Sequence, residues 1–349
     1  MIVDLPDTTT SKLSKALVTI REDGGAVALG RVLTLVISTR LGAEEEAIEA
    51  ANEASREHPM RVIVLSTEHD DQHSSIGDRL DAQIRVGGDA GASEVVILRA
   101  YGAVAENEES LVTGLLLPDA PVVAWWPGEA PERVSTSPIG RIAQRRITDA
   151  SAAADTHAAL RGRAENYAPG DTDFAWTRLT LWRAQLAAVL DQPPYEPVTA
   201  IEVSGASDSP STELLAAWLQ LQLQVDVTHE LSMAHGSSGI HGVRLTRASG
   251  NVVLERPVPD IATLIQPGQP THDLSLPVAV CATASPRSCA RSTRTSCTDK
   301  SSPWASPASA SRSRSALGPA DADRATRPRL PGPRPADDLG RQAVPVPNP

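Results

Sequence analysis

The feature that most constrains this fold is a series of continuous apolar, β-branched runs that alternate with helical patterns. The runs GRVLTLVISTR and MRVIVLSTE, at residues 30–40 and 60–68, are mostly apolar, which is typical of strands covered on both faces. Residues 42–59 between them form a helical pattern with acids in its first turns, where they suit the helix dipole. This alternation predicts an α/β domain with a largely parallel sheet, although the strands alone leave their order open.

Further elements of this first domain continue the alternation. Residues 93–102 and 121–128 are predicted strands, and residues 107–117 form a predicted helix between them. Residues 81–86 alternate between apolar and polar side chains, which favours an edge strand. Residues 137–161 are predicted to be mostly helical.

The second half of the chain contains shorter elements. Residues 199–204 are a predicted strand, and residues 209–223 are a predicted helix with a serine cap and Pro210 in its first turn. Residues 239–257 are predicted to form a hairpin, so we expect a second, smaller α/β domain. The predicted segments are an N-terminal α/β domain at residues 1–164, a Trp/Arg-rich connecting helical segment at 165–195, a C-terminal α/β domain at 196–277 and a disordered tail at 278–349.

The tail at residues 278–349 differs from the rest of the chain in composition. It is rich in Ser, Pro, Arg and Ala, and it lacks the apolar surface needed to offset chain entropy, so disorder is expected. A basic interaction tail is one interpretation. Our hypothesis is instead that the reading frame is lost near Pro277, because a one-base shift of residues 278–300 can encode an amphipathic helix with Leu at helical spacing. The encoding DNA tests this hypothesis.

Charge and cysteine distribution exclude several classes of function. Residues 1–280 carry 21 basic and 38 acidic groups, a net charge of −17, which argues against binding to a nucleic-acid backbone. All three cysteines lie in the tail, so the body has no disulfide, thiol nucleophile or thiolate metal site. The sequence has no apolar run of about 18 residues and no secretory signal pattern, so we expect no membrane association and a cytoplasmic location.

Motifs that would carry chemistry are missing from the sequence. No dinucleotide fingerprint, P-loop or Gly-x-Ser-x-Gly elbow occurs. His69 and His73 stand four residues apart but in an acidic stretch typical of a solvated loop, and His229, His235 and His241 are scattered around a Gly/Ser-rich loop. We therefore expect no catalytic, cofactor-binding or metal-binding residues.

Tryptophan and arginine are concentrated at two places. One is a predicted strand end before a Pro-Gly turn, and the other is a predicted helix in the connecting segment, with Asp171 or Thr172 as its cap. Both residue types are over-represented at binding hot spots, whereas in a chain with one Phe most Trp would be expected in the core. The candidate partner-binding residues are Trp125, Trp126, Arg145, Arg146, Asp171, Trp176, Arg178, Trp182 and Arg183.

Two interpretations of these residues remain open. Adjacent strand residues point to opposite faces, so at least one of Trp125 and Trp126 would be exposed as part of a protein contact surface. Alternatively, the arginines near the predicted helix cap would hold a phosphate or sugar phosphate.

Five segments have a distinctive sequence: MIVDLPDTTT at residues 1–10, GGAVALGRVLTLVI at 24–37, PVVAWWPG at 121–128, RRITDA at 145–150 and, most specifically, PGDTDFAWTRLTLWR at 169–183. In these segments the chain resembles the OpcA family of glucose-6-phosphate dehydrogenase assembly proteins. The resemblance covers roughly residues 1–277, and the tail departs from it completely.

The resemblance implies a cytoplasmic, non-catalytic factor that aids oligomerisation or activation of glucose-6-phosphate dehydrogenase in the oxidative pentose phosphate pathway. It implies no cofactor and no catalytic residues. The partner is therefore expected to be that dehydrogenase, and the alternative function is a sugar-phosphate-binding regulatory sensor.

Overall fold

The computed structural model describes residues 1–23, 30–67, 77–87, 94–231 and 239–277. The tail predicted at 278–349 lies outside these residues, as do His69, His73 and His235. None of the helices in the described ranges is both long and apolar enough to cross a membrane.

The first sheet has eight strands in the order β1-β4-β5-β3-β2-β6-β7-β8. The six neighbours from β5 to β8 are parallel to one another, and β1 and β4 pair antiparallel at one side. The strands are β1 (Ile2–Leu5), β2 (Leu33–Arg40), β3 (Met60–Thr67), β4 (Arg79–Val86), β5 (Glu94–Tyr101), β6 (Val122–Trp125), β7 (Arg145–Thr148) and β8 (Asp171–Asp173).

Helices cover this sheet on both faces, which explains the continuous apolar runs. Leu13 of α1 and Val112 of α3 pack with Val36 and Val96 on one face, and Ile48 of α2 packs with Val62 on the other. The α-helices within the described residues are α1 (Thr10–Asp23), α2 (Glu44–Ala54), α3 (Glu108–Thr113), α4 (Pro138–Ile142), α5 (Thr156–Glu165), α6 (Phe174–Thr177), α7 (Thr180–Leu190) and α8 (Pro210–Leu223). Short 3-10 turns occupy Gly102–Asn107, Val134–Thr136 and Ala150–Ala152.

The second sheet has six strands in the order β10-β9-β11-β12-β13-β14. Its inward residues, such as Val203 and Leu245, form one core with Leu186 of α7 and Leu215 of α8. The strands are β9 (Ala200–Gly205), β10 (Val227–Leu231), β11 (Ile240–Arg247), β12 (Gly250–Val258), β13 (Asp260–Ile265) and β14 (His272–Leu276). The predicted α/β class, with a largely parallel sheet and a second, smaller domain, is confirmed.

Two predictions for the first sheet are wrong. The segment at residues 81–86 is not an edge strand, because β4 lies between β5 and the four-residue strand β1 that the sequence pattern missed. The segment at 137–161 is not mostly helical, because β7 divides it into α4 and α5. Strand β7 pairs with β6 in parallel, with Arg145 opposite Val123, so tertiary pairing overrides the local helical pattern.

The second half follows its predicted elements closely. The hairpin is formed by β11 and β12, and α8 begins after Ser209, whose hydroxyl accepts the backbone N–H of Thr212. Pro210 occupies the first turn, where its missing N–H costs nothing. The boundaries of the four predicted segments stay a prediction, and the structure places the last strand of the first sheet, β8, within the connecting segment.

A buried ion pair joins β3 to the start of β5. Arg61 donates from Nε and Nη2 to the Glu94 carboxylate at 3.1 and 3.0 Å, and its Nη1 donates to the carbonyl of Leu115 at 2.5 Å. Arg31 approaches the same carboxylate at 3.3 Å. Arg61 and Glu94 are both almost fully buried. Each side chain therefore neutralises the charge of the other in an interior where water cannot solvate it.

We expect Glu94→Gln to lower the free energy of unfolding by about 3–5 kcal/mol, because it leaves the buried Arg61 charge without its carboxylate. The double variant Arg61→Met, Glu94→Leu should lose much less, since it removes both charges. Urea unfolding followed by circular dichroism measures both values. A loss below about 1 kcal/mol for Glu94→Gln would contradict this account of the pair.

Candidate partner-binding surface

Three of the four candidate tryptophans are buried. Trp125 and Trp126 point to opposite faces of the first sheet, and their exposed fractions are only 6% and 3%. The expectation that one of them is exposed is wrong, because helices cover both faces of the sheet. Trp182 belongs to the core of the second sheet, so of these four residues only Trp176 is exposed, at 36%.

Two of the candidate arginines form ion pairs with carboxylates beside the last strands of the first sheet. Arg146 is buried, pairs with Asp171 through Nε and donates to the carbonyls of Ala143 and Pro169 at 2.9 and 2.6 Å. Arg178 makes a two-pronged contact with Asp149, at 2.8 and 2.5 Å. A phosphate that approached either guanidinium would therefore compete with an existing carboxylate.

The helix cap in this region is Asp173, and the predicted cap at Asp171 or Thr172 is wrong. The Asp173 carboxylate accepts the N–H of Ala175 at 2.9 Å, the N–H of Ala150 at 3.0 Å and the hydroxyl of Thr148 at 2.7 Å. Asp171 and Thr172 lie in β8 and are thus extended. The predicted single helix is also divided into α6 and α7, which leaves Trp176 outside the apolar face.

The turn that delivers Asp171 to Arg146 depends on glycine. Gly170 has a φ of +99°, and a Cβ there would lie 2.6 Å from the carbonyl oxygen of Gln144. Residues other than glycine are strained in such a backbone and would clash here.

Two candidates lie together on α6 and α7: the exposed Trp176 and the half-buried Arg183. The guanidinium carbon of Arg183 lies 3.9 Å from the centroid of the Trp176 ring, a close cation–π contact. Arg145 is also exposed, but it lies on β7.

An open cleft of about 590 Å³ lies beside Trp176. Its walls come from α5 and α8, with apolar side chains such as Leu160 and Leu214, and its floor includes Thr148 of β7 and Thr172 of β8. Tyr167, which is 65% exposed, also lines the cleft. Its sequence signal is an aromatic residue two positions before a Pro-Gly turn, and sequence reasoning missed it. Exposed aromatic side chains beside an apolar cleft are typical of a binding surface.

A histidine bridges the two helical walls of the cleft. His157 of α5 contacts the carbonyl of Ser207 through Nε2 at 2.6 Å and the Glu213 carboxylate of α8 through Nδ1 at 2.5 Å. Both ring nitrogens lie close to acceptor oxygens, which favours the protonated ring. The hydrogen bond to Ser207 and then the Glu213 charge raise the pKa of His157, against an opposing effect of Arg161 and of burial.

A second crevice, of about 680 Å³, lies at the carboxyl ends of β2 and β6. The strand order places the topological switch point between these strands, the position at which related sheets bind dinucleotides. Its residues do not fit a pyrophosphate. No two glycines in the sequence are separated by one residue, the first turn of α2 carries the carboxylates Glu44–Glu46, and Arg40 pairs with Glu129 across the crevice.

Comparisons with known proteins identify two matching family models. The model described as the glucose-6-phosphate dehydrogenase subunit N-terminal domain matches residues 51–165, and the one described as the C-terminal domain of that subunit matches residues 169–294. Together they cover more than two thirds of the chain. No curated protein matches the chain. The hypothesis of frame loss near Pro277 stays a prediction, and the C-terminal match continues past that residue.

Solved structures show only weak likeness. A mutant of the 3-ketoreductase KijD10 from Actinomadura kijaniata is 12% identical, with 70% of this chain and 84% of that chain covered and a TM-score of 0.38. A glucose-6-phosphate 1-dehydrogenase from Mycobacterium avium is also 12% identical, with 70% and 81% covered and a TM-score of 0.39. These scores support no inference about this chain.

We expect Trp126→Ala and Trp176→Ala to differ sharply in their effect on stability. Loss of the buried Trp126 leaves a cavity in the first core and should lower the free energy of unfolding by about 3–5 kcal/mol. Loss of the exposed Trp176 should change it by less than about 1 kcal/mol. Chemical denaturation of the two variants in parallel provides the comparison, and equal losses would contradict the burial described here.

The His157 bridge should make stability depend on pH. Because the folded-state pKa is raised, the stabilisation is fully present below the ordinary pKa of about 6.5 and is lost as pH rises through the folded value. The free energy of unfolding of the native chain, measured relative to His157→Gln, should therefore decrease between about pH 6 and pH 8. A constant difference across this range would show that the bridge does not require protonation.

Proposed function

The chain belongs to the OpcA family, and we propose that it is a non-catalytic cytoplasmic factor that binds glucose-6-phosphate dehydrogenase and promotes the active oligomer of that enzyme. The family models support an association with this dehydrogenase. The oligomer-promoting mechanism and the contact surface are our proposal.

The observation that carries the proposed contact surface is the apolar cleft with Trp176 and Tyr167 exposed beside it. Large aromatic side chains contribute most of the binding free energy at many interfaces. The cleft also contains residues from both matched regions, such as Leu160 and Leu214. A partner bound there would contact both regions at once.

Carboxylates near the cleft are engaged in structural contacts, which supports a non-catalytic role. Asp149 and Asp171 neutralise Arg178 and Arg146, and Asp173 accepts two backbone N–H groups and a hydroxyl. A carboxylate whose oxygens are occupied in this way is a poor general base. These side chains instead hold β7, β8 and α6 in place beneath the cleft.

Linkage accounts for how binding alone promotes an oligomer. If the chain binds the active oligomer of the enzyme more tightly than the inactive subunits, the equilibrium moves toward that oligomer in proportion to the difference in affinity. The effect should saturate with the concentration of this chain and requires no turnover by it.

The experiment is size exclusion of glucose-6-phosphate dehydrogenase from the same organism, with and without the full chain, with activity measured in every fraction. We expect co-elution, a larger enzyme oligomer and higher specific activity. Tyr167→Ala and Trp176→Ala should each weaken the complex at least about 10-fold, as expected for hot-spot aromatics. Tyr195→Ala is the matched control, because Tyr195 is 78% exposed and lies outside the cleft.

The possible outcomes test the assembly role and the position of the contact surface separately. If the enzyme neither co-elutes nor changes its oligomer, the assembly role is wrong. If the complex forms but all three variants behave like the native chain, the role stands and the cleft is not the contact surface. A rise in melting temperature with glucose 6-phosphate in the absence of the enzyme would instead favour the sugar-phosphate sensor.

A further inference from the structure

Arg183 differs in its contacts from three other arginines of this region. Arg146 and Arg178 are paired with aspartates, and Arg163 donates to the backbone carbonyls of Ala130 and Glu132. Among the described residues, the half-buried Arg183 side chain makes neither an ion pair nor a hydrogen bond, and its guanidinium instead stacks on the ring of Trp176.

The position of Arg183 is well defined although its donors are unused. The guanidinium lies against an exposed indole at 3.9 Å, and its Nε is buried. The terminal nitrogens of the group are the donors that an acceptor on a partner would meet. Stacking also orients the planar group before a ligand arrives, which lowers the entropy cost of binding.

We propose that Arg183, held flat on Trp176, is a receptor for a carboxylate side chain of the partner enzyme. The inference rests on the proposed function and specifies the chemistry of its contact surface. A carboxylate can accept two parallel N–H bonds from a guanidinium edge, and Trp176 shields one face of that pair from water.

A protein carboxylate fits this receptor better than a free phosphate does. Phosphate sites usually combine several donors, such as helix N-termini with more than one cation, and here the neighbouring Arg146 and Arg178 are already paired. The apolar cleft beside Trp176 suits side chains that adjoin a carboxylate on a protein surface. Because residues 1–280 carry a net charge of −17, a partner carboxylate placed elsewhere would meet repulsion, which favours one register of docking.

The test measures the affinity of the full chain for glucose-6-phosphate dehydrogenase by biolayer interferometry. Arg183→Ala should raise Kd about 10- to 100-fold, and Arg183→Lys should raise it more than about 5-fold because a lysine keeps the charge but loses the planar fork. Arg56→Ala is the control for loss of a positive charge: Arg56 is exposed and lies outside the cleft, so the Kd of this variant should stay within about 2-fold of the native value.

Further arms of the experiment exclude indirect effects. Melting temperatures show whether the variants are folded. The double variant Arg183→Ala, Trp176→Ala should lose less affinity than the sum of the two single losses, because the two residues act as one unit.

An unchanged Kd for Arg183→Ala, in a chain that binds the enzyme, overturns the proposed carboxylate receptor but leaves the assembly role intact. Absence of binding by the native chain overturns both. Binding of glucose 6-phosphate to the native chain that is abolished in Arg183→Ala overturns the carboxylate assignment in favour of a sugar phosphate.

Discussion

The coverage of the first sheet by helices on both faces is the constraint on which the rest of the structure depends. It buries strands such as β3 along their whole length, and it places α2 as the crossover between the parallel neighbours β2 and β3. It also places Trp125 and Trp126 in two different cores. The exposed aromatic residues beside the cleft, Tyr167 and Trp176, instead lie on either side of the last strand, β8, in the sequence.

The sequence predicted the elements whose local pattern agrees with their final packing. The central strands and the Ser209-capped helix fall in this class, because continuous apolar runs and helix caps are local signals. The place of β4 and the strand at Arg145–Thr148 could not be predicted, since they depend on pairing with strands distant in the sequence. The helix cap is Asp173 and not Asp171 for the same reason. Pairing with β7 keeps the backbone extended as far as Asp173, so α6 begins only after that residue.

The concentration of Trp and Arg predicted a contact surface in this region, which stays a prediction. The sequence cannot distinguish an arginine that neutralises a buried aspartate from one that has no carboxylate partner. Arg146 and Arg183 look equivalent in the sequence, whereas one is buried against Asp171 and the other rests on Trp176. Tyr167 was overlooked because a single aromatic residue in a turn carries no periodic signal.

Asp173 has a consequence for the mechanics of the chain. It is the last residue of β8 and also the cap of α6, while the hydroxyl of Ser211 on α8 donates to the carbonyl of Ala175 at 3.1 Å. The chain therefore passes from β8 into α6 without an intervening loop residue that could serve as a hinge. If a partner binds across the cleft as proposed, little motion at this junction would have to be lost on binding.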